Sequence, residues 1–264
     1  MNHPAPTKDR LVEVEIDGAV ATITLNRPEK RNALSLAVVR QLRRCFEELP
    51  DSVRVAILAG AGPHFSAGLD LSELSAATSA EGIQHSMMWY EAFSKIQFGR
   101  VPVISVLQGA VVGGGLELAS ATHVRIAEES AYFGLPEGQR GIFLGGGGSV
   151  RITKLIGFSR VTEMMLTGHV VNAAEGHAIG LAHYVTPVGE GMRKARELAE
   201  RIAGNAPLSN FAILQALPLI AEQPMSHGLM SEALMAAITQ GAPEAKDRVN
   251  AFLEKRAAKV GRPA

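Results

Sequence analysis

Gly113-Gly114-Gly115-Leu116-Glu117 puts bare backbone and a carboxylate within about one helical turn of each other. Three glycines let a ligand come down onto main-chain N–H groups, and a helix starting there turns its unpaired donors and positive dipole end toward that ligand. Glu117, in the first turn, points into the same space. An anion-stabilising backbone beside a carboxylate suits proton transfer next to a carbonyl. Three glycines also fit tight helix-on-sheet packing, and a first-turn glutamate favours any helix. The chemical reading therefore takes its weight from two other segments, Phe65-Ser66-Ala67-Gly68-Leu69-Asp70 and Pro136-Glu137. A second glycine cluster, Gly145-Gly146-Gly147-Gly148-Ser149, lacks the Gly-Lys-Ser/Thr of a phosphate loop, and no dinucleotide fingerprint is present, which argues against nucleotide hydrolysis.

The elements that must position these residues follow from periodicity. Val12, Val14 and Ile16 alternate with charged residues, Asp17-Gly18 turns, and Ala21, Ile23 and Leu25 alternate again, a β-hairpin. Val38, Leu42, Phe46 and Leu49 recur at helical spacing over 35–49, with Asn32 or Ser35 as N-cap. Residues 53–59 and 103–107 read as buried strands, 72–82 as a mobile loop and 85–98 as a helix rich in Met and aromatic residues. Short strands are expected over 123–127 and 131–135. Helices then dominate: 149–156, 159–167, 173–179, 190–204, 208–221, 226–239 and 245–258. The last three carry many apolar residues that an oligomer interface would cover.

Composition narrows the class. The chain has 264 residues, 47% of them hydrophobic, enough for a sizeable core in a soluble globular protein. The 26 basic residues balance the 26 acidic ones, so the overall charge draws it to neither nucleic acid nor an anionic membrane. The single cysteine, Cys45, fits a reducing compartment, and the eight histidines form no close pair at helical ligand spacing, so no metal is expected. With no apolar leader and no membrane-length apolar run, a cytoplasmic location is expected.

The set of segments around Gly68, Glu117 and Glu137, in this order and spacing, resembles the enoyl-CoA hydratase/isomerase (crotonase) family. The likeness starts at Asn26-Arg27-Pro28 and Asn32-Ala33-Leu34, similar to that family's coenzyme A loop, and ends at Ala251-Phe252-Leu253-Glu254-Lys255-Arg256. It implies an α/β fold: a spiral of ββα units over residues 1–204 and a helical trimerisation region over 205–264, usually a homotrimer or a dimer of trimers. It implies that the Ala67 and Gly114 N–H groups form an oxyanion hole for a thioester, that Gly145 helps hold water, and that Glu117 and Glu137 are the catalytic carboxylates. Lys30, Arg31, Ala33, Ala67, Gly68, Leu69, Asp70, Leu71, Gly113, Gly114, Pro136, Phe252 and Lys255 are implied to contact the acyl-CoA substrate. No cofactor is implied, coenzyme A being part of the substrate.

Glutamate at both positions favours a hydratase that adds water reversibly to a trans-2-enoyl-CoA to give a 3-hydroxyacyl-CoA. The same scaffold serves enoyl-CoA isomerases and aromatic, cinnamoyl-type hydratase-lyases. A family branch binds RNA through a basic first helix, and Arg40, Arg43 and Arg44 share one face here. The adjacent Glu47 and Glu48 and the lack of interleaved aromatic residues argue against it. The chain departs from many hydratases at Leu144-Gly145-Gly146-Gly147-Gly148-Ser149-Val150, where the polar residue entering the helix is changed.

Overall fold

The structure, a computed structural model, describes residues 10–73, 78–254 and 256. It divides into two compact units between Ala203 and Gly204. The first opens with the expected hairpin, β1 (Val12–Asp17) and β2 (Val20–Leu25), followed by α1 (Leu36–Glu47), β3 (Val55–Gly60), α2 (Ser79–Gln97), β4 (Val103–Leu107) and β5 (Ala110–Val112). Then come α3 (Gly114–Ser120), β6 (Val124–Glu128), β7 (Tyr132–Gly134), α4 (Gly148–Ile156), α5 (Phe158–Thr167), β8 (Val170–Asn172), α6 (Ala173–Ile179), β9 (Tyr184–Thr186) and α7 (Gly191–Ala203).

Six strands form one sheet in the order β1-β2-β3-β4-β6-β9, parallel except for the β1–β2 hairpin. Its central strands are continuous apolar runs because helices cover both faces. On one side Val55, Ile57, Ile104, Val106 and Ile126 pack against Ala195, Leu198 and Ala199 of α7. On the other, Ile23, Leu25, Ala56 and Leu58 join Val38, Val39 and Leu42 of α1 and Trp89, Phe93 and Ile96 of α2 in the main core. A second sheet, β5-β7-β8, pairs β5 with β7 in parallel and β7 with β8 antiparallel. Its β5–β7 pair leads into both acidic motifs: β5 into Gly113 and α3, β7 into Pro136-Glu137.

Several boundaries differ from the periodicity reading. The helix expected over 85–98 begins at Ser79, because Thr78 and Glu81 form a reciprocal capping box that brings part of the expected loop into the helix; residues 74–77 of that loop lie outside the described residues. Ser35, not Asn32, caps α1, its hydroxyl accepting from the Val38 N–H at 3.3 Å. Asn32 is instead buried at φ +53°, its amide donating to the Ala61 and His64 carbonyls. β8 and β9 carry three residues each, too few for alternation to reveal.

The second unit is helical among its described residues: α8 (Pro207–Phe211), a π turn at Ala212–Ala216, α9 (Leu217–Ile220), α10 (Met225–Gly241) and α11 (Pro243–Leu253). The π turn and Pro218 break up the helix expected over 208–221. Leu229, Met230, Leu234 and Ile238 of α10 are exposed.

Candidate active site

The loop between β3 and α2 supplies the first half of the site. The Phe65 N–H donates to the Gln108 carbonyl and the Ser66 N–H to that of Ala110, so the segment runs beside β5. The next N–H, that of Ala67, turns the other way and donates to the Arg31 carbonyl at 2.9 Å. The expected oxyanion donor is therefore occupied. Gly68 turns the chain at φ +93°, where a Cβ would lie 2.6 Å from the Val112 carbonyl oxygen and 3.2 Å from the Gly114 nitrogen. The Ser66 hydroxyl secures this turn, accepting from the Gly68 N–H at 3.2 Å and donating to the Asn32 carbonyl at 2.8 Å. Past it, the Leu69 nitrogen sits 3.3 Å from where a Cβ on Gly114 would stand.

Gly114 opens α3, so its N–H lies before the helical ladder. Among the described residues neither the Leu69 nor the Gly114 N–H has an intramolecular acceptor. Leu69 and Gly114 both line the cleft described next. Gly113, at φ +53°, donates to the Gly134 carbonyl and ties α3 to β7.

Glu117 and Glu137 both line one open cleft and are 4% and 6% exposed. Their surroundings differ. Glu117 Oε1 accepts from the Gly146 N–H at 2.8 Å and the Gly148 N–H at 2.9 Å. Burial still raises its pKa, opposed by the N–H groups of Gly148, Gly146 and Gly145 and by the Arg151 guanidinium. Glu137 starts a 3-10 turn (Gly138–Arg140) after half-buried Pro136, with its Oε1 over Gly113. Its Oε2 is enclosed and has no hydrogen-bond partner. Burial first, with repulsion from Glu117 added, pushes the Glu137 carboxyl up to about 7.

One stripe of α2 walls the cleft: Gly82, His85, Ser86 and Trp89, spaced as one helix face. The Trp89 ring abuts Gly114 and Gly146, with Phe93 edge-on behind it. Ile142 and Phe143 stand opposite, beside Gly145. A Met-and-aromatic helix usually reads as core, which concealed these residues; the signal available was the i, i+3, i+4, i+7 spacing of Gly82, His85, Ser86 and Trp89.

Of the remaining expected contacts, Leu69 lines the cleft, and Lys30, Ala33 and Asp70 meet in a separate ionic cluster. Asp70 accepts from Arg27 at 3.1 Å and Lys30 at 3.4 Å; the Ser72 hydroxyl, above all, with these cations holds its carboxyl down to about 2. Arg27, which the sequence reading left unassigned, also donates to the Ala33 carbonyl. Arg31 is exposed in a left-handed turn at φ +51°, and Leu71 is exposed. Phe252, in the second unit, is exposed, and Lys255 lies outside the described residues. Among the described residues no three His, Cys, Asp or Glu side chains cluster to hold a metal, and no helix is long and apolar enough to cross a membrane.

A family model described as enoyl-CoA hydratase/isomerase matches residues 15–262. Enoyl-CoA hydratase EchA19 of Mycobacterium tuberculosis is 32% identical over 250 residues, covering 92% of this chain and 94% of that protein. The short-chain-enoyl-CoA hydratase of Clostridium acetobutylicum is 32% identical over 248 residues, 93% of this chain and 95% of its own. A solved structure from Rhodopseudomonas palustris CGA009, provisionally named as an enoyl-CoA hydratase, superposes with a TM-score of 0.92 at 52% identity, covering 98% of this chain and 100% of that one. The crotonase-like α/β architecture expected from the motifs is thus the observed one.

Proposed function

The chain belongs to the enoyl-CoA hydratase/isomerase family, and we propose that it is a hydratase, adding water reversibly across the double bond of a trans-2-enoyl-CoA. The observation that carries this reading is the pairing of two buried glutamates on one cleft with two unpartnered backbone donors, Leu69 and Gly114, beside them. The thioester oxygen accepts from those two N–H groups, which makes the carbonyl an electron sink and C3 electrophilic. Removing one such donor commonly costs ~3–4 kcal/mol of barrier.

The unequal surroundings support a division of the proton roles. Glu117, held by glycine N–H groups and facing a cation, is the base. It takes a proton from water as the water oxygen bonds to C3, and the electron pair of the double bond moves into the enolate on the oxyanion donors. Glu137, with its raised pKa, is the acid and delivers a proton to C2. The proton gained by Glu117 then returns to Glu137, and the net change is one water added. Gly145 and the Ser86 hydroxyl, which a Cβ on Gly145 would approach to 2.9 Å, flank the place for that water.

The ionic cluster of Arg27, Lys30 and Asp70 supports an outer position for the coenzyme A moiety. The exposed apolar residues of α10 support assembly into a trimer or a dimer of trimers. An RNA-binding role finds no support on α1, where Glu47 and Glu91 engage Arg43 at 3.1 and 3.2 Å and Glu48 lies 4.0 Å from Arg44.

The test is loss of the conjugated enoyl-thioester absorbance with crotonyl-CoA, a longer 2-enoyl-CoA and cinnamoyl-CoA, with product masses recorded. A gain of one water is the expected result. Bond migration without mass change, or an aldehyde with acetyl-CoA, assigns the isomerase or the lyase reaction instead.

A further inference from the structure

Arg151 does not line the cleft, yet it grips the loop that holds Glu117. From the first turn of α4 its guanidinium donates to the Gly146 carbonyl at 2.8 Å through Nη1 and to Gln97 Oε1 at 2.6 Å through Nε, with Nη2 3.4 Å from the Ser94 hydroxyl. Gly146 is thereby held at both ends, its carbonyl by Arg151 and its N–H by Glu117 Oε1. Gly147, at φ +93°, lies so close that a Cβ would overlap Arg151 Nη1, so the guanidinium is seated against the turn itself. Arg151 is half-buried, and a cation drawn out of water ordinarily has a carboxylate partner. Among the described residues Arg151 makes no ion pair within 4.0 Å, and the acidic group to which it is electrostatically attracted is Glu117.

We propose that Arg151 is the positioning residue for the Glu117 carboxylate, fixing the glycine loop through the Gly146 carbonyl and placing a positive charge behind that carboxylate. The other titratable groups facing Glu117 are Glu137, which opposes its ionisation, and His85 across the cleft on α2. The Gln97 and Ser94 contacts explain how the cation is placed: both sit on the last turn of α2, so α2 supports the cleft from behind as well as walling it. The assignment deepens the hydratase reading and rests on it for the role of Glu117 as base.

Arg151→Gln, Arg151→Lys and Gln97→Leu test it, with thermal unfolding and thioester binding checking that each variant is folded. For Arg151→Gln, kcat is expected to fall roughly 10²-fold, as for a misplaced catalytic group, with little change in KM. The acid limb of its pH–kcat profile is expected to move up by about one unit, the size of a lost neighbouring charge. Arg151→Lys keeps the charge without the planar fork, so the acid limb stays near wild type while kcat is only partly restored. Gln97→Leu loosens the fork and keeps the cation, lowering kcat several-fold with the limb unmoved. Matching pH profiles for wild type, Arg151→Gln and Arg151→Lys would overturn the proposal, as would wild-type kcat in Arg151→Gln.

A readout without turnover separates this assignment from the hydratase reading. Difference infrared titration of Glu137→Gln against Glu137→Gln/Glu117→Gln follows the Glu117 carboxyl directly. An upward shift on adding Arg151→Gln supports the role of Arg151 whatever reaction the site runs, and no shift refutes it.

Discussion

The two sides of the cleft hold the same residue type in opposite conditions. On the α4 side, Glu117 is nearly sealed but meets a row of glycine N–H groups and a cation behind them. On the β7 side, Glu137 is equally buried and one carboxyl oxygen meets nothing. Burial raises both pKa values; at Glu117 the N–H groups of Gly148, Gly146 and Gly145 oppose it, whereas at Glu137 the neighbouring charge of Glu117 adds to it. A glycine cluster is thus an electrostatic device as well as a permissive turn.

The largest expected effect that tests this contrast is on turnover. Glu117→Gln and Glu137→Gln are each expected to lower kcat by ~10³-fold or more, the upper range for a positioned acid or base, while thioester binding persists in an equilibrium titration. Near-wild-type hydration by either variant would end the division of labour. Next comes Gly68→Ala, which puts a Cβ against the Val112 carbonyl at φ +93°. Misaiming the Leu69 N–H is expected to lower kcat by roughly 10²–10³-fold without moving either limb of the pH profile. A shifted limb would mean that the oxyanion loop and the carboxylates are not independent.

The smallest effect is on stability and has a definite sign. A carboxyl whose folded pKa is about 7 binds its proton more tightly folded than unfolded, so its contribution favours folding at low pH and is lost as pH rises from about 4.5 through 7. Glu137→Gln is therefore expected to be more stable than wild type at pH 8 by about 2–3 kcal/mol, with the gain vanishing near pH 5. Denaturant unfolding at the two pH values checks it. A gain equal at both would show that Glu137 is not held protonated by its surroundings.

Much of the site was legible because its chemistry depends on residue type at fixed spacing. Glu117 after the glycines and Glu137 after Pro136 lie on one cleft, as motif order implied. Which N–H of this loop is left without an acceptor was not legible, because it depends on which way successive N–H groups point. Ala67 and Leu69 differ only in lying before or after the turn at Gly68, and the Arg31 carbonyl that occupies Ala67 is 36 positions earlier in the chain. Arg151 was hidden for a related reason: its partners Ser94 and Gln97 belong to a helix more than 50 residues away. The start of α2, by contrast, was written locally in Thr78 and Glu81 and was overlooked among small polar neighbours.

The enclosure of Glu137 Oε2 bears on isotopic memory. An oxygen that solvent does not reach exchanges its proton with bulk water slowly. In the dehydration direction, deuterium taken from C2 of a labelled 3-hydroxyacyl-CoA would stay on Glu137 for part of the bound lifetime and return to the carbon it left. Hydroxyacyl thioester recovered after partial reaction in ordinary water is then expected to keep more label at C2 than free exchange allows, a record of how seldom that one oxygen meets the solvent.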